Sequence, residues 1–230
     1  MKKILFTIFL ISITFCTFSQ DVEKTNREQD PSQMMQISQL ALEMVNYGYA
    51  YKSSLSLIEA ATIIAEHPFQ NLVPAQSEAS TGEDGEKVKK IPEITVEKLL
   101  ADATEFATDQ TILYLIQSVN AKIEQKKTEH VATKGRYYGP ARLIHRVYGN
   151  SSYTDYIKFT GGLLAEIAAI GDGDTDLDLY VYDENGNFIK SDTDYTDNCY
   201  VSFYPKWTGL YKVVVKNRGS VYNDYVLLTN

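Results

Sequence analysis

The stretch GDGDTDLDLYVYDENGN, residues 171–187, places Asp172, Asp174, Asp176 and Asp178 at alternate positions and closes on Asp183, Glu184, Asn185, Gly186 and Asn187. Along an extended strand, side chains at i and i+2 share a face about 6.5–7 Å apart. Leu177, Leu179 and Val181 then point into a core, while Asp176, Asp178, Tyr180 and Tyr182 point outward. A slip of one residue would reverse both sets, so this pattern fixes the orientation of the strand. Asn185-Gly186 supplies the turn that ends it.

The same alternation extends to both sides. Strands are expected at 141–148, 153–159, 164–170, 176–182, 188–190, 200–204, 209–216 and 222–228. Turn signals separate them at Gly149-Asn150, Gly161-Gly162, Gly171 to Asp174, Asn185-Gly186 and Asn217 to Gly219. Short strands at such regular intervals imply an antiparallel sandwich or barrel.

Before Gly135 the period is helical. Ile37, Leu40, Ala41, Met44, Val45 and Gly48 mark one face of a first helix. Ser53 and Ser54 break it and cap a second, carrying Leu57, Ile58, Ala60, Ala61, Ile64 and Ala65, which ends at Pro68. Residues 70–94 hold Pro74, Gly82 and Gly85 with mixed charge and read as a loop. Thr95 caps a third helix with Leu99, Leu100, Ala103 and Phe106 as its stripe. Asp109 caps a fourth, in which Ile112, Leu115, Ile116, Val119 and Ile123 keep the period. The first pair resembles a tetratricopeptide-type hairpin at Gly48, Tyr51, Ala60 and Ile64, in a single copy where stacked repeats need about three. The expected class is α+β in separate layers: a small helical domain at 33–127, then an antiparallel sandwich or barrel at 128–230.

The N-terminus reads as an export signal. Lys2 and Lys3 precede an apolar run of about 13 residues ending at Cys16, and small residues follow before Gln20. A bilayer span needs roughly 20 residues, and the bulky Phe15 disfavours lipid attachment at Cys16. Residues 1–19 are the expected signal peptide and 20–32 a polar lead. The exported chain then keeps one cysteine, Cys199, so it forms no internal disulfide. Loss of Lys2 and Lys3 takes the net charge from −8 to −10. Between Asp172 and Asp197 lie nine acids and one base, Lys190, so this segment matches the charge of the whole chain. Such a balance disfavours nucleic acid and anionic membranes, which need a basic footprint.

The C-terminal half resembles the bacterial pre-peptidase C-terminal domain. DYIKFTGG (residues 155–162) is similar to the Asp-x-Tyr-x-Phe strand and glycine turn of that family, and DLDLYVYDENGN (176–187) to its most recognisable strand and turn. WTGLYKVVVKN (207–217) is similar to its Gly-x-Tyr-x-Val-x-Val strand, and YNDYVLLTN (222–230) to the closing strand. The resemblance implies that residues 128–230 form an antiparallel jelly-roll-like β-sandwich, non-catalytic and found in exported proteins. Some members bind collagen or polysaccharide, and some take up calcium through acids upstream of the early strands. Here that upstream stretch holds Lys134, Arg136, Arg142, His145 and Arg146, and only Asp155 lies near a matching position.

Chemistry-bearing motifs are otherwise sparse. His67, His130 and His145 form no metal-binding helix motif, and one cysteine cannot build a structural zinc site. The sequence contains no Gly-x-Ser-x-Gly elbow, phosphate loop or dinucleotide fingerprint. Cys199 alternates with Val201 and Phe203, as a buried thiol does. Calcium takes six to eight oxygens. Asp172, Asp174 and Asp176 have the spacing that opens an EF-hand, but Leu177 stands where that loop needs glycine. Two readings follow for these acids: a simpler calcium site joined by Asp194 or Asp197, or acids that are solvated or salt-bridged. Tyr180, Tyr182, Tyr200 and Tyr204 offer either a stacking surface for sugar or peptide or the cover of a sheet face. The expected function is an exported, non-catalytic binding or accessory protein with a protein or polysaccharide partner. It needs no cofactor, with calcium as an optional one. A helical interaction adaptor capped by the sandwich, and a hydrolase using carboxylates, are the alternatives.

Overall fold

The computed structural model describes residues 30–82, 92–130 and 140–230. The expected signal peptide and most of the expected lead lie outside these residues. Four helices precede the main β-structure: α1 (Gln33–Tyr51), α2 (Ser54–Glu66), α3 (Val96–Glu105) and α4 (Gln110–His130). Their starts follow from local capping. Ser32, Ser53 and Thr95 each accept a backbone N–H from the first turn through the side-chain oxygen, and Asp109 accepts from Thr111 and Ile112. Lys52 ends α1 in the left-handed region, letting Ser53 N–H close back on Gly48.

The buried arc of α1 differs from the expected one. Leu40 is 45% exposed, while Met35, Ser38, Ala41, Leu42, Val45 and Gly48 face inward. The helix is buried on two sides, against α2 and against the sandwich. Ser38 tolerates burial because its hydroxyl donates to the Met34 carbonyl at 2.8 Å. Leu115 of α4 likewise lies exposed rather than in the stripe. Gly48 allows the close α1–α2 crossing, since a β-carbon there would overlap the Leu57 side chain. We expect Gly48→Ala to lower stability by about 1–2 kcal/mol through overpacking, although alanine is the better helix former. A fall in the urea midpoint checks this.

Among the described residues, ten strands build two sheets. In the first, β3 (Ala141–Val147), β10 (Asn223–Thr229), β5 (Ala165–Ile170) and β8 (Asn198–Phe203) are neighbours in that order. In the second the order is β4 (Ser152–Phe159), β9 (Gly209–Asn217), β6 (Leu177–Tyr182) and β7 (Phe188–Asp192). All these pairs are antiparallel. From β3 to β10 the chain thus passes from one sheet to the other at every step except the β6–β7 hairpin, a jelly-roll winding. The core between the sheets takes Leu177, Leu179 and Val181 from β6, as the alternation requires, with Tyr211, Val213, Val215, Ile167, Val201 and Leu227.

The stretch expected as a loop at 70–94 contributes two further strands. β1 (Gln70–Asn71) pairs parallel with β3 at the edge of the first sheet, and β2 (Gln76–Ala79) pairs antiparallel with β4 at the edge of the second. The segment crosses the open flank of the sandwich, packs Leu72 against the core, and covers one edge of each sheet. Both strands are polar and exposed, so they show no alternation to read.

The helices lie on the first sheet. Their apolar cluster takes in Ala168 and Ile170 of β5 and Val226 and Leu228 of β10, with Tyr200 of β8 packed against it. Strand β5, AEIAAI, is therefore buried on both faces. This arrangement separates the two outer faces: the first sheet is covered by helices, and the second contributes nothing to the helical cluster. No helix among the described residues is long and apolar enough to cross a membrane.

Candidate functional site

The outward face of the second sheet is the surface that the helices leave uncovered. Tyr211, Val213 and Val215 point inward, so Leu210, Lys212, Val214 and Lys216 of β9 point outward. The same parity puts Thr154, Tyr156 and Lys158 of β4, and Asp178, Tyr180 and Tyr182 of β6, on this face. Strand register aligns them in rows. Tyr156 stands opposite Lys212, Lys212 opposite Tyr182, and Tyr182 opposite Phe188. The next row runs Thr154, Val214, Tyr180. Phe188 is 58% exposed and meets Tyr182 edge-on, with ring centroids 6.0 Å apart. A cation held between two tyrosines with a phenylalanine beyond is an arrangement that can grip a flat, polar ligand.

The acids of the quoted stretch are offset locally. Asp178 is 3% exposed and pairs with Arg218, whose guanidinium also donates to the Tyr180 hydroxyl at 3.0 Å. The Tyr180 hydroxyl in turn donates to Asp178 at 2.9 Å. This network is the salt-bridge reading of the aspartates, carried by an arginine 40 residues along the chain. Asp183 closes the turn, accepting from the backbone N–H groups of Asn185 and Asn187 at 2.9 Å each and from the Asn187 side chain. Those bonds, the Asn187 side chain's first, lower the pKa of Asp183.

Residues 173–176 and 195–197 line an open depression of about 330 Å³ that includes Asp174, Asp176 and Asp197. Gly173, at φ +86°, turns its N–H onto Asp197 Oδ2. Asp172 Oδ2 accepts the Asp224 N–H at 3.0 Å, and Asp194 Oδ1 accepts both the N–H and the hydroxyl of Thr196. Three of the five candidate calcium ligands (Asp172, Asp194 and Asp197) are thus committed to protein donors. Among the described residues no three acidic, histidine or cysteine side chains are grouped to hold a metal ion. Asp174, Asp176 and Asp197 share the depression, and calcium there would need further oxygens to reach six to eight.

Burial raises the pKa of Asp197, with Asp172 and Asp174 adding to it against the Gly173 hydrogen bond. Burial and then Asp178 raise Asp176, one of whose oxygens is buried without a hydrogen-bond partner among the described residues. A raised folded pKa favours the neutral acid. Its contribution to stability is present below the ordinary value near 3.9 and is lost as pH rises through the folded value. We therefore expect Asp197→Asn to raise the melting temperature at pH 7. The gain should vanish in melts below about pH 4.

The four tyrosines proposed as a stacking surface do not converge. Tyr180 and Tyr182 belong to the uncovered face, while Tyr200 and Tyr204 project from the other sheet. Tyr200 packs against the helical cluster and donates to Glu166 Oε1 at 2.9 Å. Tyr204 is 42% exposed just beyond β8. Strand membership separates them, because β6 and β8 lie in different sheets.

Asp155 sits at the flank between the sheets. Its Oδ1 accepts the Ser77 hydroxyl at 2.6 Å and lies 3.2 Å from His145 Nε2, and His145 stacks on Tyr153. Serine and histidine share one carboxylate oxygen here, so the imidazole is not placed to activate the hydroxyl. Cys199 is buried, donates to the Leu177 carbonyl at 3.0 Å, and has its pKa pushed up by burial. A thiol so held is not a nucleophile.

Sequence reasoning missed Tyr156, Lys212, Phe188 and Arg218, each of which acquires its role through strand register. Period-2 parity assigns each side chain a face, but only pairing assigns its neighbours. Glu166 was missed because it is a single acid in an otherwise apolar run.

No family model matches the chain, and no curated protein matches it. Among solved structures, the chain is similar to the pre-peptidase C-terminal domain of a collagenase from Bacillus anthracis, with 11% identity over 40% of this chain and 89% of that one (TM-score 0.36). A periplasmic inhibitor of g-type lysozyme from Aeromonas hydrophila is 14% identical over 40% and 84% (TM-score 0.31). The C-terminal CBM6 of LamC, a laminarinase from Zobellia galactanivorans, is 14% identical over 36% and 75% (TM-score 0.24). At these values the strand order above, and not the likenesses, defines the sandwich.

Proposed function

We propose that the protein is an exported, non-catalytic binding module that engages a polysaccharide or protein through the outer face of its second sheet. The observation that carries this reading is the asymmetry of the sandwich. One outer face is sealed by helices, and the other presents Tyr156, Tyr182, Phe188 and Lys212 in one cross-strand row. The helices back the first sheet, which lies behind this one, and the β1–β2 segment covers one edge of each. The sequence resemblance to the pre-peptidase C-terminal domain, and the signal-like residues 1–19, support an accessory role outside the cytoplasm.

A glycan array and a pull-down with the exported chain, each run with calcium and with chelator, test the proposal. Capture of a glycan or protein that is insensitive to calcium, and that Tyr182→Ala weakens, is the expected result. Capture that requires calcium would place the working site at the 171–176 loop and count against the sheet face. Turnover of a captured glycan would favour the hydrolase reading.

A further inference from the structure

We infer that the uncovered sheet face selects an acidic polysaccharide, a chain whose sugar rings carry carboxylates. This rests on the binding-face reading above and adds the class of ligand. The chain carries a formal charge of −8, yet Lys158, Lys212 and Lys216 all project from this one face. None of the three has an ion pair or hydrogen bond to a described residue. The acids on the face are fewer than its cations: Asp178 stands opposite Lys216, and Asp176 and Glu78 lie at its margins, against three lysines and Arg218. Asp178 is held by Arg218, and Glu78, on the edge strand β2, accepts from Gln76. The chain-wide acidity therefore conceals a local basic footprint. At physiological salt, charges farther away than about 8 Å are largely screened, so a ligand on this face responds mainly to the lysines beneath it.

The spacing of the cations and rings favours a stiff glycan. Lys158 lies diagonally across from Lys212, about 7–8 Å away, and Lys216 is four residues further along the same strand, about 13 Å. Tyr156 and Tyr182 flank Lys212 on the neighbouring strands, two inter-strand spacings apart, or about 9.6 Å. That separation is close to the length of a disaccharide. Two rings of a chain can lie along the tyrosines while a carboxylate meets the lysine between them. An acidic peptide is less well served, because peptides that dock on sheets use main-chain groups at an edge, and the central strands β9 and β6 spend theirs in the ladder.

The test uses polygalacturonate, its fully methyl-esterified form, and poly-glutamate as probes in affinity electrophoresis at physiological salt. Polygalacturonate is expected to bind at least about 10-fold tighter than the ester, and Lys212→Gln should remove most of that preference without shifting the melting temperature. Lys122→Gln, on the exposed side of α4, should leave it unchanged. Equal or tighter binding of the ester, equal binding of poly-glutamate, or an unaltered preference in Lys212→Gln would each overturn the inference while leaving a binding face. Failure of every array glycan and every captured protein to bind would instead remove the face reading itself, and this inference with it.

Discussion

Glu166→Ala is expected to lower stability by about 2–4 kcal/mol. The Glu166 carboxylate, 1% exposed on β5, is the joint between the helical layer and the sandwich. Its Oε1 accepts the backbone N–H of Ser32 at 2.7 Å and the Tyr200 hydroxyl at 2.9 Å, and Oε2 accepts from the Asn230 side chain at 3.3 Å. Three chain segments thus meet on one acid: the N-cap of α1, strand β8 and residue 230. Burial, then the bond to Glu166, raises the pKa of Tyr200, so its hydroxyl stays a donor at neutral pH. Alanine leaves these donors without their acceptor, and each buried one costs about 1–3 kcal/mol. Glu166→Gln keeps an acceptor oxygen and should lose less. Urea denaturation of both variants orders them, and equal stability of Glu166→Ala and wild type would show that the helices hold to the sheet without it.

The second large effect is on binding. Replacing Tyr156 and Tyr182 together by alanine should weaken capture of the glycan by about 100-fold, near 1.4 kcal/mol for each ring. Both rings sit on a sheet face rather than in the core, so the melting temperature should change little. Losing both the affinity and the fold would point to a structural role for the rings. Tyr200→Phe serves as the contrast, since Tyr200 lies under the helices and should leave affinity intact.

Much of this architecture is visible in the sequence, for reasons particular residues make plain. The eight strands of the jelly roll follow from the spacing of turn signals together with period-2 alternation, clearest at Leu177, Leu179 and Val181 and absent from β5 and β10, which are buried on both faces. Ser53, Thr95 and Asp109 announce their helices by side-chain chemistry alone. The aspartates of the 171–187 stretch divide as the strand and loop readings require, with Asp178 on the sheet and Asp172, Asp174 and Asp176 at its approach.

What stayed hidden depends on tertiary pairing. Arg218 balances Asp178 only because β9 lies beside β6 and the chain continues past Asn217. The polar β1 and β2 carry no alternation, since they cover edges and bury little. The burial of Ser38 in place of Leu40 reflects α1 packing against two layers at once, which a one-faced helix pattern does not encode. The site was half visible: Tyr180 and Tyr182 were in view, but grouping them with Tyr200 and Tyr204 needed a sheet order that alternation cannot provide.

The central claim is that the second sheet's outer face is the working surface. Lysine acetylation read by mass spectrometry, with and without saturating polygalacturonate, tests it most directly. Lys158, Lys212 and Lys216 should be protected in the complex while Lys52 and Lys122, on the helical side, acetylate as before. Protection of the helical lysines, with the three sheet lysines unchanged, would contradict it.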